Sequence, residues 1–264
     1  MSRFAVVRPE VSVALSVWRA LFLREAGARL AASRAAWLWI LLEPAAHIVF
    51  LMVMFGMIRH RVMAGANIEI FILLGVWGFF LVRNVAMRCM EAVNANQALF
   101  AYRQVRPVDT VLVRAALEAF LYLMVGAALL AALGLCGIAV RPADPLRVFR
   151  SACTLWAFGL GLGLVLSAVG TLLPEGARLV RLAFTPLYFL SAVMYPASTL
   201  PHGLRQAVLL NPIPHGLEAM RSGYFAGYHG DSHVCLGYLA FWALAGTCLG
   251  LALHARFASR LRAQ

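Results

Sequence analysis

The chain alternates long apolar runs with short polar connections, and the lengths of the runs set the first expectation. A helix that crosses a bilayer needs about 20 mainly apolar residues. Five runs meet that readily, at residues 37–58, 116–139, 152–173, 179–200 and 234–253. A sixth, 68–90, has an unbroken apolar core only from Ile70 to Val82, because Arg83 and Arg88 follow near its end. Arginines so placed can snorkel to the headgroups, and without this span the link 59–67 strands an apolar segment. The pattern predicts an all-α polytopic membrane protein with six transmembrane helices inside a domain over 37–258, and a short tail at 259–264.

Outside the spans, three stretches have a pattern of their own. Residues 1–36 carry six arginines and no unbroken apolar core, so no cleavable signal peptide is expected. On a helical wheel Val11, Leu15, Trp18 and Phe22 share one face while Arg24 and Arg34 point elsewhere, which reads as an amphipathic helix lying on the membrane. The connection 91–110 is long and polar, with apolar Ala98, Leu99 and Ala101 before Pro107 and Asp109. It fits a short element docking a partner, or equally a loop anchored at the interface by Phe100 and Tyr102. The connection 201–231 is too apolar for a solvated loop and too short to span. Prolines at 212 and 214 divide it, so a re-entrant pair of short helices against protein or a water-filled cavity is expected.

Composition narrows the class. Of 264 residues, 62% are hydrophobic and 13% charged, which excludes the usual soluble enzyme, secreted scaffold or disordered regulator. There are 23 basic residues against 11 acidic, and every basic one is arginine. Without lysine this chain can supply neither a P-loop phosphate grip nor a Schiff base. Alternating spans with both termini inside place sixteen arginines on the inner side and seven on the outer, so the positive-inside rule is met. The basic charge is then topology and calls for no nucleic acid. The five cysteines are scattered, without CxxC or zinc spacing, and read as small apolar fillers.

Polar residues within apolar runs are few. Glu43 and His47 lie one turn apart in the first span with Pro44 between them, either a proton relay or substrate contact, or a helix-packing pair. Arg114 and Glu118 have i,i+4 spacing at the entrance of the third span. His215 and Glu218 stand at i,i+3, but one imidazole and one carboxylate do not complete a metal shell, so no metal is expected. Gly159/Gly163 and Gly246/Gly250 read as small-residue helix-packing surfaces. No constellation supports a catalytic residue, and a membrane-embedded transferase lacks a suitably placed pair of carboxylates.

Three segments carry a resemblance. LFAYRQVRPVDT at 99–110, WLWILLEPAAH at 37–47, and the stretch 188–225 through YFLSAVMYPASTLP, NPIPH and GLEAMRSGYF resemble the inner-membrane permease of ATP-driven capsular polysaccharide exporters, of the ABC-2 type. The resemblance covers most of the chain in order. It implies a type V exporter fold and a bacterial inner-membrane location with both termini cytoplasmic. It further implies a half-transporter in which two copies pair with two cytosolic ABC ATPase subunits. ATP and magnesium would sit on those partners, which suits a chain without lysine, and no cofactor would be bound here. A periplasmic co-polymerase-like adaptor and an outer-membrane export protein are further implied partners. The segment 96–106 would be the coupling helix, giving Asn96, Phe100, Tyr102, Arg103, Arg106 and Asp109 as coupling residues. Residues 11–34 would form the interface helix. The pieces 204–210 and 215–224, with Asn211, Pro212, His215, Glu218 and Tyr224, would close the outer end.

Six helices are too few to enclose a polymer, so the path is expected at a dimer seam lined by the first, second and fifth spans. Trp77, Phe184, Tyr188 and Tyr195 offer flat faces to sugar rings, and Arg83 and Arg181 near the inner mouth would attract an acidic polymer. Each aromatic has the alternative of lipid-facing or core packing. The expected function is export of a lipid-anchored capsular polysaccharide. The alternatives are another cargo of the same type, such as O-antigen or teichoic acid, and a proton-coupled secondary transporter working through Glu43 and His47.

Overall fold

The computed structural model of the chain describes residues 10–30, 42, 45–51, 53–54, 66–228 and 230–263, which form helices and turns with no strand among them. Glu43 and most of the expected first span lie outside the described residues, as do Arg34 and the link 59–65; residues 45–51 are helical. The helices are α1 (Glu10–Leu30), α2 (Ile68–Met90), α3 (Pro107–Leu135), α4 (Pro145–Leu172), α5 (Pro174–Phe189), α6 (His202–Leu209), α7 (Pro212–Tyr224), α8 (Leu236–Arg256) and α9 (Ala258–Ala263). A 3₁₀ helix, Asn94–Ala101, lies between α2 and α3. Among the described residues four helices, α2, α3, α4 and α8, are long and apolar enough to cross a membrane.

Glycines set the packing of the centre. A Cβ on Gly159 or Gly163 of α4 would press on Val82, Val85 and Cys89 of α2, while Gly161 faces Ala243 and Thr247 of α8 and Gly246 faces Gly161 in return. The absent side chains let both neighbours approach the α4 backbone, so small residues do in this bundle what bulky knobs do elsewhere. The contacts advance together along all three helices, so α2, α4 and α8 run in one direction. α3 runs the other way against α2, with the Trp77 indole N–H donating to the Tyr122 carbonyl at 2.8 Å and Gly126 leaving room for that ring. Phe120, Leu123 and Met124 of α3, and Phe241, Leu244 and Leu249 of α8, remain exposed, an apolar surface that either lipid or a protein partner would cover.

The weakest of the apolar runs, 68–90, forms a helix over those residues, the most buried of the four. Its arginines stand in the last two turns, and Asn67 caps its start by accepting the Glu69 N–H at 3.2 Å. α3 and α4 begin earlier than the runs 116–139 and 152–173 predict. Pro107 and Pro145 open them as first-turn prolines, and Asp144 caps α4 by accepting the Arg147 N–H at 2.9 Å. α8 is displaced by two or three residues from 234–253, and the tail 259–264 falls almost wholly in α9.

The expected span 179–200 is corrected. α5 begins at Pro174, contains Pro186 and stops at Phe189 after 16 residues, roughly 24 Å of helix. The next residues form a turn in which Ala192 takes φ 52°, a left-handed conformation that costs a residue bearing a Cβ about 1–2 kcal/mol. Local apolarity did not reveal this break, because its support comes from α7, described below. The pair expected over 204–210 and 215–224 is found as α6 and α7, each starting two or three residues earlier after Pro201 and Asn211.

Candidate functional site

At the end of the bundle where α2 stops, α1 is fastened to the connection 91–110 and to α3. The Trp18 indole N–H donates to Asp109 Oδ1 at 2.9 Å. Arg24 bonds the Asn96 side chain, whose amide in turn donates to Glu25 at 3.2 Å and to the Ala92 carbonyl at 2.8 Å. Glu25 also accepts from Arg114 Nε at 3.0 Å and from its terminal nitrogen at 2.9 Å. Deeper in, Arg29 bonds Glu118, a carboxylate only 1% exposed, and Arg88 stands 3.9 Å from the same oxygen. Arg114 and Glu118 therefore do not pair with each other at i,i+4, as their spacing predicts. Each is taken by α1.

The charges of this cluster follow from its burial. Desolvation works against ionised Glu25, yet Arg114, Asn96 and Arg24 outweigh it and hold the carboxyl below its ordinary 4.5. Burial, together with repulsion from Arg88 and Arg114, lowers Arg29 to about 10, still charged near neutrality. Of the expected coupling residues, Asn96 and Phe100 are buried anchors, while Tyr102, Arg103 and Arg106 form an exposed tip. Asp109 holds the turn closed, since its Oδ2 accepts the Arg106 N–H at 2.9 Å. The face expected from Leu15, Trp18 and Phe22 does exist. It lines a groove of about 480 Å³ with Leu112, Val113, Ala116, Trp156 and Leu160. Leu21 is buried on another side of the helix and Leu23 is exposed, so α1 is less cleanly amphipathic than the wheel predicts. The Val11 side chain lies outside what is described.

A second site is a cleft of about 580 Å³ between residues 45–51 and 53–54, α2 and α5. His47, Phe79, Phe80, Arg83, Phe184 and Tyr188 line it. His47 Nε2 is 2.8 Å from the Tyr188 hydroxyl, and its ring lies 5.3 Å from Phe80 and 5.5 Å from Tyr188, centroid to centroid. The structure thus brings together Arg83, Phe184, Tyr188 and His47 out of residues named for two separate roles. It leaves out Trp77, which packs between α2 and α3. Tyr195 is also elsewhere, bonding the Phe189 carbonyl at 2.7 Å within the turn, and Arg181 pairs at 2.9 Å with Glu91 on the surface.

The third site, at the opposite end, is built around a residue that sequence reading counted only as an outer charge. Arg221 is 0% exposed. Its guanidinium donates to the Ala192 carbonyl at 2.8 Å, the Val193 carbonyl at 2.5 Å and Glu218 Oε1 at 2.9 Å, and it stacks 3.7 Å from the Phe71 ring centroid. The Tyr228 hydroxyl donates to the same carboxylate at 2.9 Å. Asn211 caps α7 by accepting the Ile213 N–H at 3.1 Å and donates to Ser191 Oγ at 2.8 Å, with Pro212 in the first turn. His215 is buried, accepting the Cys235 N–H at its Nδ1, 3.0 Å away, and bonding the Leu209 carbonyl through Nε2 at 2.9 Å. Tyr224 is buried beside Phe225. His215 and Glu218 thus have separate partners. The signal for Arg221 was present, as an arginine three residues after Glu218 inside an apolar helix.

A family model described as ABC-2 type transporter matches residues 16–225. The chain is 35% identical over 235 residues to the polysialic acid transport protein KpsM of Escherichia coli, across 89% of this chain and 91% of that one. It is 30% identical to the capsule polysaccharide export inner-membrane protein CtrC of Neisseria meningitidis serogroup A, across 93% and 92% of the two chains. It is 27% identical to the protein of the same description, BexB, of Haemophilus influenzae, across 94% and 93%.

Proposed function

The chain belongs to the ABC-2 type transporter family, and on that footing we propose that it is the permease subunit of an exporter that moves capsular polysaccharide across the bacterial inner membrane. The observation that carries this reading is the likeness to one polysialic acid transport protein and two capsule polysaccharide export inner-membrane proteins along about nine-tenths of the chain or more. Export of O-antigen or teichoic acid is not favoured, because those relatives are named for capsule and polysialic acid. Proton-coupled transport is not favoured either. His47 is engaged with Tyr188 and enclosed by aromatic rings, a packing role rather than an open relay.

In this reading the protein is multi-pass, with six spans and both termini in the cytoplasm. Two copies associate with two ATPase subunits that hold ATP and magnesium, and an adaptor and an outer-membrane protein continue the path. The exposed tip Tyr102–Arg103–Arg106 meets the ATPase. Because Asn96 is bonded to both Arg24 and Glu25, a push on the tip is passed to α1 and, through Arg114, to α3. The polymer passes along the cleft, where Arg83 offers a positive charge and the buried rings of Phe79, Phe184 and Tyr188 form the wall behind the surface. α6 and α7 stand at the periplasmic end.

Deleting the gene tests the reading. Capsule polymer then accumulates inside the cell while the surface is bare. A normal capsule accompanied by loss of another surface glycan overturns it. In purified form the chain hydrolyses no ATP until its ATPase partner is added; turnover by the lone polypeptide contradicts the assignment.

A further inference from the structure

The break after α5 and the burial of Arg221 need each other. Unwinding a helix at bilayer depth frees carbonyls that lipid cannot bond. Those of Ala192 and Val193 receive the Arg221 guanidinium, while Asn211 at the start of α7 reaches Ser191 and, at 3.4 Å, the Leu190 carbonyl. The last carbonyls of α5 itself are met locally, by Leu190, Ser191 and Tyr195, whereas the donors for the turn that follows come from the two ends of α7. Conversely, a fully buried guanidinium is tolerable only while its hydrogen bonds and counter-charge are in place, and here two acceptors belong to the turn after α5 and one to Glu218. The slot holding it is cut into α2 by the Phe71 ring on one side and by Gly75 on the other, where a Cβ would overlap both the guanidinium and the Val193 carbonyl.

We propose that Arg221 is a positioning residue that makes the end of α5 and the outer pair α6–α7 move as one body. It thereby ties the aromatic cleft, whose Tyr188 lies one turn below the break, to the outer end of the path. The consequence for export rests on the permease reading; the one-body motion does not. Rotation of α5 carries the turn, the turn carries Arg221, and the outer pair follows without a contact of its own to the ATPase. Lysine keeps the charge but is a single point donor, unable to bridge two carbonyls and a carboxylate as the planar fork does.

Spin labels at exposed Phe189 and Leu210, in the full chain with its ATPase in nanodiscs, read the motion directly. The expected result is one narrow distance distribution, unchanged between the nucleotide-free and ATP-bound states, which in Arg221→Lys broadens and becomes nucleotide-dependent. A nucleotide-dependent distance in the unsubstituted chain overturns the proposal, as does an unchanged distribution in the variant. Export is measured alongside. Arg221→Lys is expected to keep ATP turnover within about twofold and to lose at least tenfold in polymer exported per ATP. Parallel loss of both marks a merely structural residue and overturns the proposal. If Arg221→Lys does not accumulate, the double variant Arg221→Gln with Glu218→Gln, which removes the bridge together with its counter-charge, is read by the same criteria. Failure of the unsubstituted complex to export capsule polymer counts against the permease reading alone, since the distance measurement does not involve cargo.

Discussion

At the scale of single residues, the charged groups that matter are those whose partners come from far away in sequence. Glu118 is buried in α3 and takes its counter-charge from Arg29 of α1. Removing one member of such a pair strands the other, whereas replacing both with apolar groups is close to neutral. Arg29 keeps about a fifth of its side chain accessible, so the cost lies below that of a fully buried pair. Glu118→Leu is expected to destabilise the solubilised protein by about 2 kcal/mol, and the double variant with Arg29→Leu to recover most of that loss, measured by thermal unfolding in detergent. If the double variant is as unstable as the single, the pair is not the source of the stability. Glu25 gives a pH signature. Its carboxyl titrates below its ordinary 4.5, so its stabilising contribution is fully present above that value and is lost as pH falls through the depressed one. α1 is therefore expected to resist trypsin at pH 5 and above. As pH falls through the depressed value the helix becomes accessible to an acid-active protease, and Glu25→Gln exposes its arginines to trypsin even at pH 7.

At the scale of elements, hydrophobic run length found the four long apolar helices, and local capping chemistry explains their true starts. Run length failed at α5 because 190–195 continues the apolar run, and Pro196, the local breaker, lies beyond the true end at Phe189. What pairs the carbonyls freed in the turn is Arg221, some 30 residues on, and no local window contains both. The clamp on α1 was half legible for the same reason. Arg114 and Glu118 stood out as charges in an apolar run, but their nearest like-spaced partner in sequence was each other, and the partners they take lie about 90 residues away. The small-residue surfaces of α4 and α8 were legible because packing there depends on what is missing. At Gly161 a Cβ would lie 2.7 Å from the Ala243 carbonyl and 2.9 Å from the Thr247 nitrogen, both backbone atoms that cannot yield. Gly161→Val is expected to destabilise by about 3 kcal/mol or more through helix separation. Gly176→Ala meets side-chain atoms only at 3.9 Å or beyond and is expected to be neutral or stabilising by up to about 1 kcal/mol. Thermal unfolding and the monodisperse fraction in detergent compare the two.

At the scale of the whole molecule, an exposed apolar helix face says little by itself, since lipid covers it as well as protein does. The cleft differs because His47, Arg83 and Thr185 line it beside the aromatic rings, and polar groups at membrane depth face a bundle interior or water rather than acyl chains. In the proposed pair of copies, a second copy over this side would enclose the cleft and supply the missing wall of a path, with α5 of each copy at the seam. Thr185 is exposed within the lining, so a cysteine there reports the arrangement. In a chain with Cys136, Cys153, Cys235 and Cys248 replaced by serine, all four being exposed, Thr185→Cys is expected to yield a covalent dimer on mild oxidation in native membranes. A cysteine at Leu244 on the outer face of α8, equally exposed, is expected to remain monomeric. Cross-linking at Leu244 with none at Thr185 places the seam on the opposite face and removes the cleft from the path.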